Sequence, residues 1–245
     1  MYRILRSSWI WAASLTLILL WVPLLAAVWL GDRDPRKLRT GRWFRRLGRV
    51  LAKVNPWRIH ISGARRIEPQ RVYVIVSNHQ SFADIPLISH LLVDAKWLAK
   101  AELFRLPALG WMLRMAGDIP VDRRDRRSTA RALLACGRCL RQGCSVVFFP
   151  EGTRSPDGHL RQFADGPFQL AIREQVAVLP LVVHGSGEAL PRNSWLFGPA
   201  QDIHLHVLEP VPTQDLLVAD TREFQIRVRE LIASELDRLR DGSSG

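Results

Sequence analysis

The sequence predicts an α/β fold: a mostly parallel central sheet flanked by helices, preceded by an N-terminal membrane-anchoring helix or helical hairpin. Three observations predict it. From residue 57 onward, short runs rich in Val, Ile, Leu and Phe alternate with helical stretches, the pattern of βαβ units. Before them, Trp9 to Leu30 carries no charged residue, and an arginine-rich stretch follows. The 245 residues suffice for one sizeable core and an appendage. Hydrophobic residues at 47% and charged ones at 24% exclude a disordered chain. The formal charge of +12 asks for an anionic partner and does not choose among nucleic acid, phosphorylated metabolites and a membrane surface.

The first element narrows that choice. Twenty-two uncharged residues at about 1.5 Å each cross a hydrocarbon core of about 30 Å. The run is longer than the apolar region of a signal peptide, and no A-x-A cleavage site follows. Pro23 leaves two forms open, a single crossing or two half-helices that enter and leave on one side. Nine basic residues between Arg33 and Lys53 stand against Asp32 and Asp34, while only Arg3 and Arg6 precede the run. The positive-inside rule therefore puts the remainder on the cytoplasmic face, which in a bacterium is that of the inner membrane. Trp43, Phe44, Leu47, Val50 and Leu51 recur at helical spacing among the arginines, which predicts an amphipathic helix on anionic membrane phospholipids. With the chain tethered there, nucleic acid is not the expected partner.

Strands are predicted at 57–62, 72–77, 96–99, 118–121, 145–149, 176–183 and 202–209. Helices are predicted at 84–92, 101–116, 126–141, 166–174 and 220–240, with a flexible tail at 241–245. In such folds ligands gather at the carboxyl ends of the strands. Cys136, Cys139 and Cys144 lack the fourth ligand of a structural zinc site and read as reduced core thiols. His204 and His206 share one strand face but have no acidic or thiol partner nearby in sequence, so no metal site is expected.

Three stretches fall just past strands. In SNHQSFADIP, His79 and Asp84 stand five positions apart. On one ideal helix their side chains would lie about 140° apart, so contact requires a turn between them. Pro86, tolerated only in a first helical turn, supplies one by starting the helix near Asp84. The pair alone fits two readings: Asp84 as a helix N-cap with His79 in a loop, or a carboxylate orienting a histidine that acts as general base. No G-x-S-x-G elbow occurs, so under the second reading the nucleophile comes from the substrate, most simply a hydroxyl. In FFPEGTRS, proline stops the strand and glycine turns it, leaving Glu151 and Arg154 to meet a polar ligand. In GDIPVDR, Arg123 follows a strand and could join Arg154 as a phosphate clamp.

Together these stretches resemble the lysophosphatidic acid acyltransferase family of glycerophospholipid acyltransferases. Its first block, N-H-x4-D, is matched by Asn78, His79 and Asp84. Gly117 to Arg123 resembles its second, Phe149 to Ser155 (FPEGTRS) meets its third, and Pro180 within an apolar strand meets its fourth. The resemblance spans residues 55–210 and includes AKAELFRLPALGW at 99–111. Two departures bear on the acceptor: Phe163-Ala164-Asp165-Gly166 lacks the lysine of an F-K-x-G stretch, and Pro120 replaces a bulky apolar residue.

The resemblance implies an acyltransferase domain over 55–240 behind an anchor over 1–54. The implied reaction passes a fatty acyl group from acyl-CoA or acyl carrier protein to a lysophospholipid hydroxyl, most simply that of 1-acyl-glycerol-3-phosphate. It needs neither a cofactor, a metal nor a covalent acyl-enzyme. His79 would be the base and Asp84 its orienter. Arg123 and Arg154 would hold phosphate, Glu151, Gly152 and Thr153 would shape the glycerol site, and Lys100 would be a further phosphate contact. The rival readings are another acceptor such as a lyso-ornithine lipid, a lipid hydrolase, and a non-enzymatic lipid-binding protein.

Overall fold

The structure, a computed structural model, describes residues 1–91 and 93–242. Seven strands form one sheet: β1 (Trp57–Ser62), β2 (Val74–Ser77), β3 (Ala95–Lys100), β4 (Ile119–Val121), β5 (Ser145–Phe148), β6 (Val178–His184) and β7 (Gln201–Val207). Their order is β1-β7-β6-β2-β5-β3-β4. All neighbouring pairs are parallel except β6 with β7. Five strands thus run one way, with β7 and β1 reversed at one edge.

The central strands are buried on both faces, which is why they read as continuous apolar runs rather than alternating ones. Val74 and Val76 of β2 face one cluster with Val146, Phe148, Val178 and Val182. That face is covered by α5 (Arg126–Arg141), α6 (Gly166–Glu174) and α8 (Thr221–Gly242), through Leu140, Phe168 and Val228. Tyr73 and Ile75 face the other side with Leu179, Leu181 and Leu205, under Leu87 and Ile88 of α3 (Asp84–Ile88). Cys136 and Cys144 are buried free thiols, and burial pushes the Cys144 thiol up to about 12.

The helices depart from expectation at four places. The stretch 101–116 is not one helix: a 3₁₀ turn at Ala101–Arg105 gives way to α4 (Leu109–Ala116). Pro107 has no N–H to continue the ladder, and Ala108 beside it takes φ of 58°. Within 84–92, α3 has only five residues, and Leu92 lies outside the described residues. A short α7 (Ser186–Ala189) was not foreseen. At the C-terminus α8 runs to Gly242, so Asp241 and Gly242 of the expected tail are helical, while 243–245 lie outside the described residues.

The N-terminus forms α1 (Tyr2–Gly31) and α2 (Leu38–Val54). Of the two anchor forms, the hairpin broken at Pro23 is not present: α1 is continuous through it. Its length and hydropathy suffice to cross a membrane. The helix is nevertheless held at both ends by the rest of the chain. Leu25 packs with Phe44 and Leu47 of α2 and Met112 and Leu113 of α4, and Trp21 Nε1 donates to the Trp43 carbonyl (3.1 Å). At the other end Ile10 clusters with Ala83, Leu190 and Phe197. Leu5, Trp9, Leu15, Leu19, Leu20 and Leu24 remain exposed along its outer side.

The arginines of α2 divide. Arg42 and Arg45 turn to the sheet side and pair with Asp94 and Asp118, the latter fully buried. Arg39, Arg46, Arg49 and Lys53 form no ion pair among the described residues and keep the expected basic face, with Arg46 over the Trp43 ring.

Candidate active site

The site assembles where β2 and β5 end. Past Ser77, Asn78 continues the β2–β6 ladder with its side chain: Nδ2 donates to the Val183 carbonyl and Oδ1 accepts the Val183 N–H, both at 2.8 Å. That double bond lets the main chain leave the sheet at a fixed point, and His79 follows directly.

His79 is held on four sides. Its N–H donates to Glu151 Oε1 (2.7 Å), and its carbonyl accepts the Ser155 N–H (2.7 Å). Its ring stacks on Phe149, centroids 4.0 Å apart. Its Nδ1 lies 2.7 Å from Asp84 Oδ2. The turn that this contact needs is present, because residues 78–81 are not helical and α3 starts at Asp84.

The N-cap reading of Asp84 gives way for a definite reason. Ala83 occupies the cap position, and the Asp84 carboxylate reaches backward, accepting N–H groups of Gln80 (2.8 Å) and Ser81 (3.0 Å) on the same oxygen. Asp84 is fully buried, while the His79 side chain keeps 11% exposure. With Nδ1 facing the carboxylate, Nε2 is the nitrogen free for a substrate, the arrangement a general base requires.

Glu151 differs from its expected place. Its second oxygen accepts the Arg161 N–H (3.1 Å), so both oxygens hold backbone. Burial pushes its carboxyl up, and the two N–H groups and His79 pull it back. Gly152 takes φ of 73°, which suits glycine, and its carbonyl accepts from Arg123 Nη1. Arg123 therefore reaches the loop that carries Arg154, but through its backbone. Thr153 is half-buried between them. The Arg154 guanidinium lies over the Phe82 ring, 4.1 Å from its centroid. Lys100 is exposed at the end of β3, in register with Val121, and pairs with Glu102 (3.0 Å).

Several residues escaped the sequence reading. Phe149 and Phe82 were visible only as neighbours of polar residues, and no pattern marks a ring as a platform. Arg192, in a turn-like Pro-Arg-Asn-Ser stretch, donates from Nη1 to the Arg154 carbonyl (2.7 Å). The expected histidine pair also separates. His204 stacks on His60 with centroids 4.8 Å apart, whereas His206 bonds Glu235.

An α/β sheet presenting a buried His–Asp pair beside arginine-bearing loops coincides with a family match. The Acyltransferase family model matches residues 58–184, half of the chain, and the chain belongs to this family. Among curated relatives, it is 36% identical to a chloroplastic 1-acyl-sn-glycerol-3-phosphate acyltransferase of Arabidopsis thaliana, over 66% of this chain and 46% of that one. It is 34% identical to the human 1-acyl-sn-glycerol-3-phosphate acyltransferase beta, over 66% and 59% respectively. The chain thus spans less than half the length of the plant relative. The crystal structure of the 1-acyl-sn-glycerophosphate acyltransferase PlsC from Thermotoga maritima superposes with a TM-score of 0.85 at 25% identity, covering 98% of this chain and 96% of that one.

Proposed function

We propose that the protein is a membrane-seated 1-acylglycerol-3-phosphate O-acyltransferase, passing a fatty acyl group from acyl-CoA or acyl carrier protein to the free hydroxyl of 1-acyl-glycerol-3-phosphate to give phosphatidic acid. The observation that carries this reading is the His79–Asp84 contact at the end of β2, near the loop of Arg154, which forms no ion pair among the described residues. The names of the relatives support the acceptor.

In this mechanism Nε2 of His79 takes the proton from the acceptor hydroxyl as its oxygen attacks the thioester carbonyl. Asp84 holds the Nδ1–H and stabilises the imidazolium. The tetrahedral intermediate collapses, breaking the C–S bond, and the imidazolium returns its proton to the departing thiolate. The acceptor oxygen is the nucleophile, so the chemistry needs no metal and no covalent acyl-enzyme. Gly152 and Thr153 border the glycerol, and Arg154 meets the phosphate. Glu151 serves by fixing the backbone of His79 rather than by touching substrate.

The membrane enters through α1. A helix held at both ends by the α/β domain, with Leu and Trp side chains along its free side, seats the domain on the apolar phase. Phe82, 52% exposed, adjoins Ala83 in the Ile10 cluster, which supports a site mouth beside that apolar surface. The basic face of α2 suits the cytoplasmic leaflet.

The test is an acyl-transfer assay on the purified full chain, with acyl-CoA and acyl carrier protein donors against a panel of lysolipids, an ornithine-headed one included. Phosphatidic acid formed from 1-acyl-glycerol-3-phosphate is the expected product. Free fatty acid as the main product would show a hydrolase, and preference for another acceptor would reassign the substrate.

A further inference from the structure

Arg192 lies outside every stretch that points to the site, and the fold seats it there. It is the second residue of a turn closed by the Ser194 N–H on the Pro191 carbonyl (3.2 Å). Pro191 restricts the backbone before it, and Asn193 after it takes φ of 64°, the left-handed conformation such a turn needs at its third position. The turn is tied down from two directions. Ser81 Oγ donates to the Leu190 carbonyl (2.6 Å) from the His79 loop. From α1, Ser7 Oγ accepts the Phe197 N–H (3.0 Å), Trp11 Nε1 donates to the Trp195 carbonyl (2.8 Å), and Arg3 and Arg6 reach the Phe197 carbonyl.

Arg192 bonds the carbonyl of the peptide joining Arg154 to Ser155, and the N–H of that same peptide bonds the His79 carbonyl. One peptide unit therefore separates Arg192 from the catalytic histidine. Arg154 and Arg192 are both half-buried, and the charge of Arg192 adds to burial in pushing the Arg154 guanidinium down. Among the described residues neither arginine forms an ion pair with a carboxylate. Arg192 repels Arg154 while Asp84, not in an ion pair with it, attracts it, so an anion arriving between the two guanidinium groups relieves like-charge repulsion. The Phe82 ring under Arg154 keeps one fork from swinging away.

We propose that Arg192 is the second phosphate ligand of the acceptor site: it and Arg154 together grip a phosphomonoester dianion. This rests on the acceptor reading above. Two planar forks suit the oxygens of a terminal phosphate better than ammonium groups do. Arg123, which donates from Nη1 to the Gly152 carbonyl as Arg192 does to the Arg154 carbonyl, borders the same loop from the other side of the sequence. Phosphate is also present in the donor, in coenzyme A or a phosphopantetheine arm, so the test separates the two sources.

The experiment compares full-length wild type, Arg192→Gln and Arg192→Lys in detergent. Arg192→Gln removes the charge and keeps a shorter amide donor, whereas Arg192→Lys keeps the charge without the fork. First, thermal shift is titrated with sn-glycerol 3-phosphate and, separately, with coenzyme A. The wild type is expected to be stabilised by glycerol 3-phosphate, and Arg192→Gln to need roughly tenfold or more of it, with Arg192→Lys between. The coenzyme A midpoint is expected to stay put. Second, kcat/KM is compared for 1-acyl-glycerol-3-phosphate and for a lysolipid with a phosphodiester headgroup; Arg192→Gln is expected to lower their ratio by roughly tenfold or more. A wild type unaffected by glycerol 3-phosphate overturns the phosphate site whatever its activity. A shift of the coenzyme A midpoint alone assigns Arg192 to the donor, and an unchanged kcat/KM ratio reduces it to a support for the 154–155 peptide; each overturns the proposal. A wild type that responds to glycerol 3-phosphate but transfers no acyl group overturns the enzymatic reading and leaves the phosphate site standing.

Discussion

Asp84 Oδ2 lies 2.7 Å from His79 Nδ1 and takes two main-chain N–H groups on the same oxygen. One atom thus shapes the loop and orients the ring. Asp84→Asn keeps an acceptor for the loop but removes the charge that favours the imidazolium. It should lower kcat by about 10²-fold or more while the melting temperature moves little. His79→Ala should abolish transfer without releasing the protein from vesicles. Loss of fold in Asp84→Asn with kcat retained in the surviving fraction would make the contact purely structural.

Glu151 should behave as a positioning residue. Glu151→Ala leaves the buried His79 N–H without an acceptor, at a cost of about 1–3 kcal/mol. Glu151→Gln keeps one carbonyl oxygen and should recover part of both stability and kcat. The KM for the acceptor is the discriminating quantity: a rise in KM with kcat intact would return Glu151 to the substrate-contacting role that the sequence suggested.

Arg3 and Arg6 report on the link between α1 and the 190–198 segment. The double variant Arg3→Ala/Arg6→Ala removes those bonds and leaves the apolar side of α1 unchanged. Sedimentation with anionic liposomes should stay resistant to salt, since salt screens charge and not apolar burial. The KM for 1-acyl-glycerol-3-phosphate should rise. Loss of sedimentation in the double variant would instead mean that these two arginines, not the apolar helix, hold the membrane.

His60, His204 and His184 lie side by side across β1, β7 and β6. Burial, then the charge of a neighbouring histidine, holds His184 and His204 below the ordinary histidine value; Asp202 pulls His204, and Glu188 pulls His184, the other way, while Arg240 adds to the lowering of His184. The unfolded chain therefore binds more protons than the folded one as pH falls below about 6.5, and stability falls with it. Melting temperatures between pH 7.5 and 5.5 should drop less steeply in His184→Asn/His204→Asn than in the wild type. Parallel slopes would remove these histidines from the acid sensitivity.

What was legible in the chain was whatever a local pattern encodes. The seven strands among the described residues follow from short β-rich runs, continuous and apolar at the centre and alternating in β1 and β7, and β1 at Trp57–Ser62 and α5 at Arg126–Arg141 fall where expected. The His79–Asp84 turn followed from Pro86 and helical geometry. Partner choice between distant segments was not legible. Nothing local says that Glu151 spends both oxygens on backbone 72 and 10 residues away, or that α1 clasps the 195–198 segment. Arg192 reads as an ordinary turn residue until the fold carries it to Arg154.

The two-ended seating of α1 has a kinetic consequence. On the proposed reading, a domain lying along its anchor meets its acceptor by lateral diffusion in two dimensions and its donor from bulk water in three. The variable that saturates the acceptor site is then the mole fraction of lysolipid in the surface, not its molarity. Diluting vesicles with buffer at fixed donor concentration should leave the rate per enzyme unchanged, whereas diluting the lysolipid with inert lipid at constant total volume should lower it.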